Sequence, residues 1–192
     1  MERVLTRNIA NDPKPVNLMA YEANEGYQGL KKAFAELSPV DCESIVKDSK
    51  LRGRGGAGFP TGMKWSFVPK GEACSPGHKY LVCNADEMEP GTFKDRLLME
   101  FDPHQLIEGM ILSAYTLGAD IAYIFIRGEY VVSIQRLRNA IVECYEKNYL
   151  GKNILGSGFS LEMYVHPSAG RYICGEEAAL INALEGKRAN PR

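Results

Sequence analysis

The sequence lacks the cysteine spacing of a metal cluster or a dithiol. Its five cysteines lie at positions 42, 74, 83, 144 and 174, and no two form a CxxC pair. This argues against an iron–sulfur or zinc site within the chain and against a secreted disulfide framework, so we expect reduced thiols. The three histidines are scattered, and we assign no role to His78, His104 or His166. The residues themselves therefore indicate no metal site and no nucleophile–base pair.

No charge of one sign dominates, and no long hydrophobic run is present. The 23 basic and 24 acidic residues give a net charge of -1, which excludes the basic footprint of a nucleic-acid-binding protein. Residues 1–11 carry both signs and no apolar core, so they resemble neither a secretory signal nor an Arg-rich transit peptide. The most apolar stretch, 106–126, is interrupted by Glu108, Gly118 and Asp120. We therefore expect no membrane insertion.

Hydrophobic periodicity predicts alternating helices and strands after a mixed, loop-like segment at 1–27. Helices are expected over 28–37 and 38–49, the second opened by a Ser38 cap and Pro39. From residue 79 the pattern predicts, in order, strand 79–85, helix 103–117, strand 121–126, helix 131–145, strand 160–166 and helix 175–184. This order implies right-handed crossovers and a three-layer α/β/α fold with a parallel sheet. We divide the chain into N-terminal helices at 1–50 and an α/β domain at 51–192.

Glycine is the one residue in excess, and a cluster of glycines carries the first candidate site. The run at 53–58, GRGGAG, matches GxGxxG, but a dinucleotide fingerprint follows a strand, and the preceding residues predict a helix. An ordinary Rossmann dehydrogenase is disfavoured for that reason. The run is equally compatible with a surface loop and with a phosphate cradle, since glycines let backbone N–H groups approach a ligand. Arg52, Arg54 and Lys64 supply positive charge nearby.

Two further segments carry polar residues where an α/β sheet places its ligand contacts. The run NADEMEPG at 84–91 follows a predicted strand and holds three carboxylates in four residues. Alone it is most typical of a solvated acidic turn, although carboxylates also accept hydrogen bonds from ribose hydroxyls or a ring imide. The run RYICGEE at 171–177 opens the last helix, where its acids complement the helix dipole without any further role. Cys174 is expected to be a buried, inert thiol.

Together, the segments at 51–65, 83–96 and 171–177 resemble the FMN- and NADH-binding flavoprotein subunit of respiratory complex I, the 51 kDa subunit of mitochondria. The likeness runs from about residue 27 to residue 192. Diaphorase subunits of NAD-dependent hydrogenases and formate dehydrogenases share these motifs and are the nearest alternative. The resemblance implies a Rossmann-like FMN-binding domain.

The resemblance also implies roles for individual residues. The residues expected to contact FMN are Gly53, Arg54, Gly55, Gly56, Lys64, Asn84, Asp86, Glu87, Tyr172, Gly175 and Glu176. The residues expected to contact NADH are Phe59, Lys64, Phe67, Glu89 and Glu177, with the two phenylalanines stacking on the adenine. The implied reaction is hydride transfer from NADH to FMN, followed by release of single electrons to iron–sulfur centres. Because the cofactor carries this chemistry, no acid–base pair is required.

The family's subunit is more than twice as long as this chain. It continues with further FMN and NADH contacts, a ubiquitin-like domain and a helical domain that binds a 4Fe–4S cluster, whose ligands this sequence lacks. The chain therefore resembles the flavin domain alone, which leaves an inert fragment acting through protein contacts as a second hypothesis. The implied partners are peripheral-arm subunits of complex I, especially the 24 kDa-type 2Fe–2S subunit and the large iron–sulfur subunit. The implied location is the cytoplasmic face of the bacterial inner membrane.

Overall fold

A three-stranded parallel sheet lies at the centre of the fold. The computed structural model describes residues 3–9, 14–70 and 76–192. Its strands are β1 (Tyr80–Ala85), β2 (Ile121–Arg127) and β3 (Glu162–Ser168), hydrogen-bonded in the order β1-β2-β3. Ala85 pairs with Ile126, and Ile126 pairs with Pro167, so the carboxyl ends of the three strands are level at one edge. The predicted parallel α/β fold is confirmed.

Eight α-helices accompany the sheet in the described part of the chain. They are α1 (Leu18–Ala23), α2 (Gln28–Glu36), α3 (Pro39–Asp48), α4 (Thr61–Ser66), α5 (Lys94–Phe101), α6 (Pro103–Leu117), α7 (Val131–Glu146) and α8 (Glu177–Leu184). Short 3-10 turns occupy Ile154–Gly156 and Tyr172–Gly175. Strand β3 begins two residues later than predicted, and α8 begins at Glu177 rather than Gly175, because residues 172–175 form the 3-10 turn.

The sheet is buried on both faces, but to different extents. Ala122, Ile124 and Ile126 of β2 point into the large core that α6 and α7 also line. On the opposite face, Phe125 is fully buried against Leu180 of α8 and Cys174. Helices therefore flank the sheet on both sides. Because burial on both faces needs apolar residues at consecutive positions, β2 has a continuous apolar sequence rather than an alternating one.

The helix predicted before the glycine run is present as α3. Ser38 and Asp41 form a reciprocal capping box at its start, and Pro39 occupies its first turn. Residues 42–48 therefore do not form the strand that an ordinary dinucleotide-binding fingerprint requires. The prediction against a conventional Rossmann dehydrogenase is supported by this local structure.

Two helices were not expected from the sequence. The interpretation of residues 1–27 as loop-like is wrong at α1, a six-residue helix whose cap, Asn17, accepts a hydrogen bond from the Ala20 amide. Helix α5 was missed because its N-cap residue, Phe93, provides no side-chain hydrogen bond. The amides in its first turn, which have no partner within the helix, donate hydrogen bonds to the Glu87 carboxylate instead. A six-residue helix and a helix without a local cap both lack the signals by which helices are recognised in sequence.

A buried polar network joins the N-terminal helices to α6 and α7. His104 lies between the Tyr27 hydroxyl, 3.0 Å from Nδ1, and the Glu143 carboxylate, 3.0 Å from Nε2. Burial lowers the pKa of His104, which favours the neutral imidazole. Burial also raises the pKa of the neighbouring Cys144 thiol to about 12. Both shifts favour the uncharged forms of these side chains within the buried network.

Among the described residues, Cys42, Cys83, Cys144 and Cys174 form no disulfide, and Cys174 is buried as expected. Cys74 lies outside the described residues. No helix in the described part of the chain is both long and apolar enough to cross a membrane.

Candidate functional site

A cleft of about 540 Å³ opens at the carboxyl-terminal edge of the sheet, where ligands of parallel α/β sheets bind. It lies between the glycine run, the segment after β1 and the 3-10 turn before α8. The residues that line it are Arg54, Gly55, Gly56, Asn84, Asp86, Glu87, Met88, Glu89, Thr92, Lys94, Asp95, Tyr172, Ile173, Gly175 and Glu176. All three segments singled out in the sequence therefore meet at one cavity.

Hydrogen bonds join these segments across long distances in the chain. The Asn84 side-chain amide donates to the carbonyl oxygen of Gly175 at 3.0 Å. The Tyr172 hydroxyl donates to the Glu89 carboxylate at 2.7 Å. These two contacts hold the acidic segment 84–89 against the turn at 172–175, forming one wall of the cleft.

The glycine run is a closed loop rather than a strand–helix turn. The amide of Gly53 donates to the Phe59 carbonyl at 2.9 Å, and Arg52 and Pro60 form an antiparallel bridge at its base. Gly56 has a φ of +121°, a conformation that side chains rarely adopt. Apart from Gly55 and its two chain neighbours, no atom of the described residues lies within 4 Å of the position that a Cβ would take on Gly55. The backbone at Gly55 is therefore open rather than packed against another described segment.

Asp86 is the most unusual group in the cleft lining. It is 7% exposed, and neither of its carboxyl oxygens has a hydrogen-bond partner among the described residues. Burial and the nearby Glu129 carboxylate raise the pKa of Asp86 to about 6, against the opposing influence of Arg127 and Ser168. A buried, unsatisfied carboxyl is costly. Its presence indicates that a ligand or solvent supplies the missing hydrogen bonds.

Glu87, the next residue, has the opposite environment. Its carboxylate accepts hydrogen bonds from the amides of Asp95 at 2.8 Å and Arg96 at 3.3 Å. These amides lie in the first turn of α5 and have no partner within the helix. It also accepts a hydrogen bond from the Tyr130 hydroxyl at 3.1 Å. Glu87 lines the cleft, and three protein donors use most of its roughly four lone-pair sites, leaving room for about one more donor.

The structure places the remaining predicted site residues outside the cleft lining. Gly53 closes the base of the loop, and Phe59 and Phe67 lie 43% and 68% exposed, with their ring centroids 6.3 Å apart. Lys64 and Glu177 form an ion pair with each other, Nζ to Oε1 at 2.6 Å. This pair joins α4, directly after the glycine loop, to the first turn of α8. Of the residues predicted to contact NADH, Glu89 alone is among those lining the cleft.

Sequence reasoning missed several residues of this region. Met88, Thr92, Lys94, Asp95 and Ile173 line the cleft, and Arg127 and Tyr130 contact Glu87 from behind it. The position of Arg127 directly after a predicted parallel strand was an available signal. Tyr130 offered none, because its contact depends on how the β2–α7 turn lies against the segment after β1.

The charges around the cleft are mostly negative. Its lining includes five carboxylates, from Asp86, Glu87, Glu89, Asp95 and Glu176, and two cations, Arg54 and Lys94. An anionic group would therefore bind near Arg54 or Lys94, while the carboxylates would accept hydrogen bonds from hydroxyl or amide donors. Within ranges 3–9, 14–70 and 76–192, no three His, Cys, Asp or Glu side chains are grouped to hold a metal ion.

Bacterial relatives are similar in sequence to this chain over nearly its whole length. It is 60% identical to an NADH-quinone oxidoreductase subunit of Rhizobium meliloti, covering 100% of this chain and 44% of the relative. It is 58% identical to the corresponding NADH-quinone oxidoreductase subunit of Escherichia coli, covering 98% of this chain and 42% of the relative. The chain thus spans less than half the length of the curated relatives that it matches.

A solved structure of similar fold comes from an NAD+-reducing [NiFe]-hydrogenase in the H2-reduced state. The superposition has a TM-score of 0.74 at 37% identity, covering 95% of this chain and 31% of that chain. A family profile described as the Nuo51 FMN-binding domain matches residues 46–192, which include the sheet and every segment of the cleft. With this match over most of its length, the chain belongs to the Nuo51 FMN-binding domain family.

Proposed function

We propose that this chain binds FMN in the cleft and serves as the NADH-oxidising part of an NADH-quinone oxidoreductase. The observation that carries the proposal is the convergence of segments 54–56, 84–89 and 172–176 on one cavity at the carboxyl ends of the strands. These segments are the ones whose sequences resemble the flavoprotein subunit of complex I. Relatives named as subunits of NADH-quinone oxidoreductase support the same function.

The cleft fits a flavin mononucleotide in size and in chemistry. A volume of about 540 Å³ is within the ~300–1,000 Å³ range of small-molecule and cofactor sites. The Asp86 carboxyl, which has no hydrogen-bond partner among the described residues, can accept hydrogen bonds from a ribityl chain or a ring imide. Arg54 and Lys94 provide positive charge for the phosphate, and the open backbone at Gly55 permits close approach of a planar ring.

We assign the cofactor contacts to Gly53, Arg54, Gly55, Gly56, Lys64, Asn84, Asp86, Glu87, Tyr172, Gly175 and Glu176. The nucleotide contacts are assigned to Phe59, Lys64, Phe67, Glu89 and Glu177. The Lys64–Glu177 ion pair leaves further donors on the ammonium and the second carboxylate oxygen open to a ligand, and both side chains are well exposed, so rearranging the pair costs little. The exposed rings of Phe59 and Phe67 offer apolar surface for an adenine beside the cleft.

When bound, FMN supplies the chemistry by accepting a hydride from NADH and passing electrons on singly. The protein's own contribution is alignment. The hydrogen bonds Asn84–Gly175 and Tyr172–Glu89 hold the wall of the cleft in place before any ligand binds, which lowers the entropic cost of orienting two planar rings. Hydride transfer needs no proton donor, so the task of the cleft is to orient the two rings.

The wider function extends to segments and subunits beyond this chain. We propose that electrons continue to a 4Fe–4S cluster in the longer subunit and to partners of the 24 kDa-type 2Fe–2S and large iron–sulfur kinds. We further propose a peripheral position on the cytoplasmic side of the bacterial inner membrane. The likeness to a hydrogenase that reduces NAD+ favours a second candidate, a diaphorase subunit with the same flavin site and a different electron partner.

The proposal is tested with the 192-residue chain. The protein is mixed with FMN, freed of excess ligand and examined for bound yellow flavin, which anaerobic NADH is expected to bleach near 450 nm. Asp48→Asn, a change of an exposed carboxylate on α3 that does not line the cleft, is the control and is expected to bind equally. Absence of flavin binding at excess FMN would contradict the proposal for this chain and favour an inert fragment. Binding without bleaching would contradict the nucleotide site alone.

A further inference from the structure

The turn between β2 and α7 contacts the acidic segment from behind. Arg127, the last residue of β2, donates from Nη1 to the carbonyl oxygen of Glu87 at 3.3 Å. Tyr130, the residue before α7, places its hydroxyl 3.1 Å from the Glu87 carboxylate and 3.4 Å from the Glu87 carbonyl. Two side chains from one turn therefore hold both the backbone and the side chain of a single cleft residue.

This turn is itself firmly placed. A Cβ on Gly128 would lie 2.4 Å from the carbonyl oxygen of Ser168, so the backbone of β2 runs directly against the end of β3. The Tyr130 amide donates to the Arg127 carbonyl at 3.0 Å. The Arg127 guanidinium lies over the Tyr130 ring at 5.4 Å and pairs with Glu129 at 3.3 Å. These contacts fix the turn, so the side chains of Arg127 and Tyr130 reach Glu87 from a well-placed backbone.

As a consequence, the adjacent carboxylates Asp86 and Glu87 have different hydrogen-bonding partners. Held by Tyr130, the Glu87 carboxylate faces the first turn of α5, where the amides of Asp95 and Arg96 donate to it. Asp86, one residue earlier, keeps both oxygens without a partner in the described residues. If Glu87 were released, its carboxylate would be free to enter the cleft, adding repulsion beside Asp86 and Glu89.

We propose that Arg127 and Tyr130 are positioning residues of the cleft: they hold Glu87 against α5 so that Asp86 and Glu89 face the ligand. This inference rests on the proposed FMN site, and it assigns a role to two residues that contact no ligand themselves. The positive charge of Arg127 also opposes the influence of Glu129 on Asp86, so it favours the ionised form that accepts hydrogen bonds.

The first arm of the test uses the ligand-free chain. Tyr130→Phe keeps the ring that the Arg96 and Arg127 guanidinium groups contact and removes the hydroxyl. We expect the amides of Asp95 and Arg96 to exchange hydrogen about tenfold faster, with exchange in β2 and α6 unchanged, since one local contact is lost. The control is Tyr123→Phe, because the Tyr123 hydroxyl makes no hydrogen bond in the described part of the chain. Unchanged exchange at residues 95 and 96 would overturn the proposal.

The second arm measures FMN affinity by quenching of flavin fluorescence. Tyr130→Phe and Arg127→Gln are expected to bind FMN about five- to tenfold more weakly, as expected for a lost hydrogen bond to a charged or carbonyl group. Arg127→Lys, which keeps the charge and a donor, is expected to recover most of the affinity. Equal binding by wild type, Tyr130→Phe and Arg127→Gln would overturn the positioning role.

A pH series separates positioning from general stability. The charged and polar groups that face Asp86 are Arg127, Glu129 and Ser168. Loss of the Arg127 charge raises the pKa of Asp86 further. As the pH is lowered, Asp86 becomes protonated and FMN affinity decreases. We expect this decrease to begin at a higher pH in Arg127→Gln than in wild type. The ratio of wild-type to variant affinity cancels the titration of the FMN phosphate itself. A ratio independent of pH would contradict the part assigned to Arg127.

The two arms also separate this proposal from the proposed function. If wild type fails to bind FMN while Tyr130→Phe still accelerates exchange at residues 95 and 96, the flavin site is wrong and the positioning of Glu87 stands. If wild type binds FMN and the variants match it in both arms, the flavin site stands and the positioning role is wrong. If Arg127→Gln no longer unfolds cooperatively, Arg127→Lys replaces it in both arms, because it keeps the positive charge and a hydrogen-bond donor.

Discussion

At the scale of single residues, two adjacent carboxylates of the cleft differ in how the fold satisfies their hydrogen-bonding capacity. Glu87 has three hydrogen-bond donors from α5 and Tyr130, whereas Asp86 has none in the described residues. Both are buried. A buried group that the fold leaves unsatisfied reduces stability, and such groups concentrate at sites where a ligand completes the contacts.

Asp86→Asn is expected to stabilise the ligand-free chain at neutral pH and to weaken FMN binding. The folded pKa of about 6 is above the ordinary value of 3.8, so the folded protein retains a proton that the unfolded chain loses between those values. Wild-type unfolding free energy should therefore fall as pH rises from about 4 to 6, by up to about 3 kcal/mol, and remain lower above that. The free energy of unfolding, measured with urea at pH 4.5 and at pH 7.5, should differ less between the two pH values in Asp86→Asn than in wild type. An identical difference in both proteins would contradict this assignment.

Glu177→Gln is expected to lower affinity for the nicotinamide nucleotide about threefold or more and to leave FMN affinity within about twofold. Its ion pair with Lys64 is well exposed, so the free energy of unfolding should change by less than about 0.5 kcal/mol. Titration calorimetry with NAD+ on the FMN-loaded chain measures the first effect. Glu185→Gln, another ion-paired glutamate at the opposite end of α8, is the matched control. Equal weakening of both ligands would contradict the placement of Glu177 toward the nucleotide.

At the scale of elements, two helices depend on carboxylates that lie outside them. Helix α5 is capped by Glu87 of the segment after β1. The N-cap residue of helix α2 is Tyr27, whose φ of +59° is left-handed and whose side chain makes no capping hydrogen bond. Glu108 of α6 performs that function, accepting from the Tyr27 amide at 2.9 Å, the Leu30 amide at 3.1 Å and the Tyr21 hydroxyl at 2.6 Å. These helices form where tertiary partners supply what the local sequence lacks.

Glu108→Ala is expected to destabilise the chain by about 2–4 kcal/mol, because it leaves two backbone donors and a buried tyrosine hydroxyl without partners. Glu108→Gln, which keeps one acceptor oxygen, should lose less. Glu36→Ala, at the exposed end of α2, is the control and should change the free energy of unfolding by less than about 0.5 kcal/mol. Urea unfolding followed by circular dichroism measures all three. A loss for Glu108→Ala no larger than that for Glu36→Ala would contradict the capping role.

At the scale of the whole molecule, ligand binding and stability are linked. The strands contribute their carboxyl ends to one cleft, so a ligand that occupies it bridges segments that are otherwise far apart in the chain. FMN at about 100 times its dissociation constant should add roughly 2.7 kcal/mol of stability. For a chain of this size the expected rise in Tm is about 5–10 °C. Riboflavin, which lacks the phosphate, should give a smaller rise if Arg54 and Lys94 bind that group, and an equal rise would contradict their role.

The sequence by itself predicted the parallel α/β fold, the helix before the glycine run and the three segments that form the cleft. These features depend on local patterns: periodic apolar faces, the Ser38–Asp41 cap and the motifs at 53–58, 84–91 and 171–177. Only the tertiary structure decided that Glu87 caps α5 while Asp86 finds no partner among the described residues, that Lys64 pairs with Glu177, and that Arg127 and Tyr130 contact Glu87. The reason is physical: each of these outcomes depends on which groups from distant parts of the chain come within hydrogen-bonding distance, and periodicity reports only which face of its own element a residue occupies.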